Sequence, residues 1–192
     1  MKWIVLAIIL SIGVYTFLNL RYRKSERAFR PYQDNRNRAN VHRLLEAGFQ
    51  RIALEADLPA DPMAPGSTAR ATPVLPGLPS GLRDTLVELP QLPAEIISVT
   101  AAPAVSAMFA YPIGVKCSLP DNKQQLAGAD LYVRGEELVV TPNFEHLAGG
   151  LLARSRERVI RLTVPAGTLK PGDYHVILVG THSSQAWTLH VH

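Results

Sequence analysis

Eighteen consecutive residues without a charge, from Trp3 to Leu20, constrain this chain more than any other stretch. Wound as an α-helix at about 1.5 Å per residue they extend roughly 27 Å, close to the hydrocarbon thickness of a bilayer. Trp3 lies at one end and Tyr15 and Tyr22 near the other, where interface-seeking aromatics belong. A cleaved export signal would need a small-x-small site after the apolar run. Instead the run ends in Phe17-Leu18-Asn19-Leu20 and passes into Arg21-Tyr22-Arg23-Lys24. The expectation is a retained single-pass anchor with a basic flank, residues 1–24.

The charge is lopsided. Nine Lys/Arg against three acids lie between Arg21 and Arg51, whereas residues 52–192 carry ten basic and thirteen acidic side chains. The overall net charge of +4 therefore belongs to one juxtamembrane block. Basic residues close to a span favour the cytoplasmic side, so the charge bias predicts an inner-membrane protein with a cytoplasmic C-terminal domain. The competing arrangement exports that domain to the periplasm behind an uncleaved first span. Arg21, Arg23, Lys24, Arg27 and Arg30 are the candidates for contact with anionic lipid headgroups, at about 1 kcal/mol per basic residue. With few aromatics among them and a span next door, nucleic acid is not the expected partner.

Residues 25–56 read as a basic amphipathic helix. Val41, Leu44, Leu45, Gly48, Phe49 and Ile52 recur at helical spacing, which predicts one apolar stripe on a helix over 36–54. Three uses are open for that stripe: packing on the chain's own domain, docking on a partner's helices, or lying in the membrane interface. Val41, Leu44, Leu45, Phe49 and Ile52 are thus the candidate partner-binding residues. Residues 57–94 follow as a linker or strap, with eight prolines between Pro59 and Pro93. Such a density excludes a long helix and predicts an extended, partly polyproline-like tether with a reach on the order of 100 Å. Its leucines and valines also suit a strap laid over another surface.

From residue 95 the hydrophobic period falls to two. It predicts strands over 96–100, 105–111, 113–118, 129–134, 137–141, 158–164, 174–179 and 186–192, separated by turn signals such as Pro120-Asp121-Asn122 and Lys170-Pro171-Gly172-Asp173. A short helical turn is expected in 146–155. The fold class is mainly β: a transmembrane and an amphipathic helix, then an antiparallel sandwich over 95–192.

The run Thr163-Val164-Pro165-Ala166-Gly167-Thr168-Leu169-Lys170-Pro171-Gly172-Asp173-Tyr174 resembles the corner before a late strand in immunoglobulin-like and fibronectin-III-like modules of bacterial membrane-anchored proteins. The resemblance covers some 35–40 residues, is also seen in membrane-anchored anti-sigma-like proteins, and implies a fold in which Tyr174 bonds to upstream backbone. It carries no catalytic residue, and the anti-sigma zinc motif is missing. The layout of one anchor and one sandwich also loosely resembles small accessory subunits of respiratory oxidases.

Chemistry-bearing candidates are sparse. Four of six histidines lie in the last eighteen residues. His190 and His192 share a face of the last strand with His175 next door, a pattern that could ligate a transition metal but equally suits a solvated face. Cys117 reads as a small buried hydrophobe, the single cysteine excludes a disulfide framework, and no serine has a nucleophile elbow around it. Asp130, Glu136 and Glu137 look like solvated strand charges, and Gly149-Gly150 is too short for a phosphate loop. The sequence therefore predicts no cofactor and no enzymatic activity. It predicts an accessory or scaffolding subunit that contacts other membrane-protein subunits, or else a stand-alone anchored module binding a peptide, glycan or metal.

Overall fold

The computed structural model describes residues 2–4, 11–17, 31–59, 68–147 and 153–192. Residues 2–4 and 11–17 are helical, and the rest of the expected span lies outside the described residues. Among the described residues no helix is long and apolar enough to cross a membrane. Met1–Arg36 forms one unit and Asn37–His192 a second, compact one.

Helix α1 (Pro31–Glu46) ends eight residues earlier than the apolar stripe predicts. The reason is Gly48, which adopts φ 77°. Its N–H donates to the Leu45 carbonyl and the Phe49 N–H donates to that of Leu44, at 3.0 and 2.8 Å. These two bonds make a Schellman cap, and its customary apolar contact is present: Leu44 and Phe49 are both buried in one cluster. The residue read as part of the stripe is the helix stop. Beyond it Ile52, Leu54 and Ala56 alternate with exposed neighbours in strand β1 (Gln50–Asp57).

Nine further strands follow among the described residues: β2 (Thr72–Val74), β3 (Glu95–Ala101), β4 (Ala104–Val105), β5 (Tyr111–Ser118), β6 (Gln124–Arg134), β7 (Glu137–His146), β8 (Glu157–Val164), β9 (Gly172–Leu178) and β10 (Ser184–Val191). They form one curled sheet in the order β2-β10-β9-β7-β6-β1-β8-β5-β3, with β4 also on β10. The curl folds the two halves onto a common core of residues such as Leu131, Val140, Ile160, Leu162, Leu178 and Leu189, all fully buried. Strand β1 joins the halves, pairing with β6 through Gln50–Leu54 and with β8 through Glu55–Asp57.

The expectation of a purely antiparallel sandwich is corrected in two places. β7 runs parallel to β9, and β4 parallel to β10. The chain passes from β7 to β9 through β8 in the other half, and a crossover of that kind returns a strand in its original direction. The expected strand over 105–111 is replaced by the two-residue β4 and a turn in which the Phe109 N–H donates to the Ser106 carbonyl. Of the helical turn expected in 146–155, residues 148–152 lie outside the described residues, and 146, 147 and 153–155 are not helical.

The proline-rich tether is also corrected over residues 68–94. Instead of hanging free they follow the sheet: β2 adds to the edge of β10, with Pro73 tolerated at that outer position. Helix α2 (Ser80–Thr85) then lays Leu82 and Leu86 on Tyr132, Val139 and Val179. A second apolar core results on the outer face of β6, β7 and β9, closed by Leu44 and Phe49. The Arg43 guanidinium donates to the Asp84 carbonyl at 2.8 Å and the Val87 N–H to Asn40 Oδ1 at 3.2 Å, so α1 and the strap are mutually fastened.

Two glycines separate conformational from steric cost. A Cβ on Gly48 would meet nothing within 4 Å, so Gly48→Ala should cost about 1 kcal/mol through its left-handed backbone alone. At Gly180 a Cβ would lie 2.4 Å from the Ser183 carbonyl oxygen, and Gly180→Ala should cost about 1–3 kcal/mol by displacing the β9–β10 turn. Urea denaturation of the two variants, with unchanged slope, checks both values and their order.

Candidate functional site

The five candidate docking residues divide between interior and surface. Leu44 and Phe49 are buried in the chain's own second core, where the Arg134 guanidinium lies 4.4 Å from the Phe49 ring centre. Ile52 is half-buried against the main core. Only Val41 and Leu45, one turn apart on α1, remain exposed, at 48% and 61%. The lipid-facing candidates Arg21, Arg23, Lys24, Arg27 and Arg30 lie outside the described residues.

The histidines do not converge. His190 and His192 stand on the solvent face of β10 with stacked rings 6.2 Å apart, and His190 Nδ1 is in hydrogen-bond contact with the Asp173 carboxylate across the ladder. His175 sits opposite Thr188, two pairs further along. Among the described residues no group of three or more His, Cys, Asp or Glu is arranged to hold a metal ion. Glu137 pairs with Arg134, and Asp130 with Arg51 through two hydrogen bonds of 2.9 Å. That pair also raises the Arg51 pKa, chiefly through the side-chain hydrogen bond. Gly149-Gly150 lies outside the described residues.

The corner at the start of β9 is closed as its tyrosine would suggest. Tyr174 Oη donates to the Lys170 carbonyl at 3.0 Å. At the same end of the sheet Trp187 Nε1 donates to Tyr111 Oη at 3.1 Å, and Tyr111 Oη donates to the Ala102 carbonyl at 2.8 Å. Burial pushes the Tyr111 hydroxyl up to about 12, and that of Tyr132 likewise with help from the Asp130 charge. Cys117 is fully buried, and desolvation raises its thiol to about 12. A thiol so placed has negligible thiolate at neutral pH and no nucleophilic role.

Two surface features escaped the sequence reading. One is a turn tip bearing Met108 and Phe109, 79% and 71% exposed. The other is an open groove of about 600 Å³ between the starts of β6 and β8, walled by Leu58, Leu126, Leu147 and Val159. The tip was hidden because its apolar residues read as a strand. The groove depends on where β1 changes partner, which no local pattern encodes. Comparison with protein-family models, curated proteins and solved structures finds no match to this chain.

The buried acids set an alkaline limit. Unfolded, the Cys117 thiol ionises near 9.0 and the Tyr111 and Tyr132 hydroxyls near 10.0, whereas folded all three keep their protons to about 12. A folded pKa raised in this way stabilises fully below the unfolded value and is lost as pH rises through the folded one. The urea midpoint should therefore fall from about pH 9 to 12, and Cys117→Ala should move the onset toward 10 while lowering the plateau. Tyr111→Phe should cost about 1–3 kcal/mol at neutral pH, because it orphans the buried Trp187 N–H.

Proposed function

We propose that this chain is a non-enzymatic, single-pass accessory subunit of a larger membrane-protein complex. Residues 3–20 are its anchor, and the β-domain is the part that a partner recognises. The observation that carries the reading is the fastening of α1 to the sheet. Asn40, Arg43 and Leu44 are already built into the domain, about twenty residues after the apolar run ends at Leu20. Little chain separates the apolar run from the first fastened residue, whereas a free sensing module would use the 57–94 segment as a tether. The strap is occupied in building the second core and gives no such reach.

Val41 and Leu45 are the docking residues on this reading. They leave an apolar pair on the solvent side of a helix whose other side is fixed, as a helix-to-helix or helix-to-groove contact requires. The tyrosine corner supports an immunoglobulin-like classification of the β-domain, and the parallel β7–β9 pair departs from a purely antiparallel one. The basic flank favours a cytoplasmic domain and contact with anionic headgroups at the inner membrane.

Purification of the full chain in a mild detergent at native abundance, followed by mass spectrometry, should recover membrane proteins in fixed ratio. Val41→Asp with Leu45→Asp should reduce that recovery at least ~10-fold, the scale of a buried hot spot, with unchanged thermal unfolding. A chain that elutes alone, or a double variant that keeps its partners, overturns the respective part of the reading.

A further inference from the structure

The groove between β6 and β8 exists because β1 changes sides. β1 leaves β6 after Leu54↔Ala129 and joins β8 from Glu55↔Thr163. Upstream of Ala129, Gln124, Gln125, Leu126 and Gly128 of β6 pair with β7 alone, with Ala127 bulged out of that ladder, and no described strand occupies their other edge. This five-residue run, roughly 17 Å long and broken by the bulge at Ala127, thus has four half-paired residues along the floor of an open cleft. Leu58, Leu126, Leu147 and Val159 supply apolar walls, and Glu157 and Arg158 a charged rim.

A second, independent observation points to an occupant. Gln124 is 7% exposed and lines the cleft, yet its Oε1 is buried without a hydrogen-bond partner. A buried amide oxygen accepts strongly and costs stability when unpaired. It calls for an N–H donor. The segment Gln124-Gln125-Leu126-Ala127-Gly128 contains neither charge nor proline, two of the devices that normally blunt an open edge, and its one such device is the bulge at Ala127.

We infer that this fork receives an extended peptide strand of a partner protein by adding it to the open edge of β6. A peptide backbone alternates N–H and C=O groups at the ladder spacing, supplies the donor that Gln124 Oε1 needs, and sends every second side chain to the apolar walls. The uncharged floor selects a partner segment whose inward side chains are apolar, and the Glu157–Arg158 rim tolerates either charge at its ends. The site lies apart from Val41 and Leu45, and it stands whether or not those residues dock.

The test uses the full chain in detergent and an array of fluorescein-labelled octapeptides that alternate Val, Leu or Phe with Thr, Lys or Glu. The tightest binder should slow amide hydrogen exchange at 124–128. Its analogue N-methylated on alternate amides, a control that leaves the protein untouched, should bind at least ~5-fold more weakly. Gln124→Leu should act in opposite directions on two readouts: a higher urea midpoint for the free chain, because an orphaned acceptor is gone, and ~5- to 10-fold weaker peptide binding. Absence of binding across the array, protection elsewhere than 124–128, equal affinity for the N-methylated analogue, or unchanged affinity in Gln124→Leu each overturns the inference.

Discussion

The divided pairing of β1 is the constraint on which this fold turns. One eight-residue strand spends its first five residues on β6 and its last three on β8. It is the strand shared by the two halves, which curl toward each other about it and enclose the main core. The inward residues of β1, Leu54 fully and Ile52 and Ala56 in part, then touch that core from the seam. The cleft opens where β1 passes from one partner to the other.

The second core follows from a shorter-range decision. Once Gly48 stops α1, Phe49 turns inward beside Leu44, and the outer face of β6, β7 and β9 gains a cover. The strap completes it. Past Pro142 β7 has no N–H to offer at that position and its pairing with β9 is over; there the Phe144 N–H donates to the Gln91 carbonyl at 2.9 Å instead. A segment rich in proline is suited to this task. It needs few ladder bonds of its own and loses little conformational entropy on being laid down.

How legible this was in the sequence depended on the range of the cause. β8, β9 and β10 could be read from alternation within one residue or two of their ends, because both signal and turn chemistry are local. The Tyr174 corner was legible for the same reason. β1 was misread because Phe49 and Ile52 continue a helical stripe, and the interruption rests on a single glycine whose φ is not written in hydropathy. β2 and α2 were hidden by prolines that signal extended chain without saying against what. Of the candidate docking residues, Val41 and Leu45 remain on the surface, whereas Leu44 and Phe49 are held inside by a core that only the tertiary fold assembles. The cleft had no sequence signal except its missing charges.

That missing charge gains its meaning from how the other edges are treated. β3 ends one side of the sheet with a bulge between Ile96 and Ser98, and the Ile96 N–H is taken by Ser183 Oγ at 2.8 Å. At its far end the Ala101 carbonyl accepts from the Ala69 N–H at 2.7 Å. β10 ends the other side and is covered by two short strands, β2 and β4, one of them carrying a proline. Each outer edge is therefore shortened, bulged or capped, the devices that keep folded β-proteins from pairing with one another. Among the described residues Gln124–Gly128, itself bulged at Ala127, combines a half-empty ladder with an uncharged run and a buried acceptor in want of a donor. The outer edges are blunted more fully than this inner one, to which no described strand adds, and its unmet hydrogen bonds are of the kind an extended backbone matches.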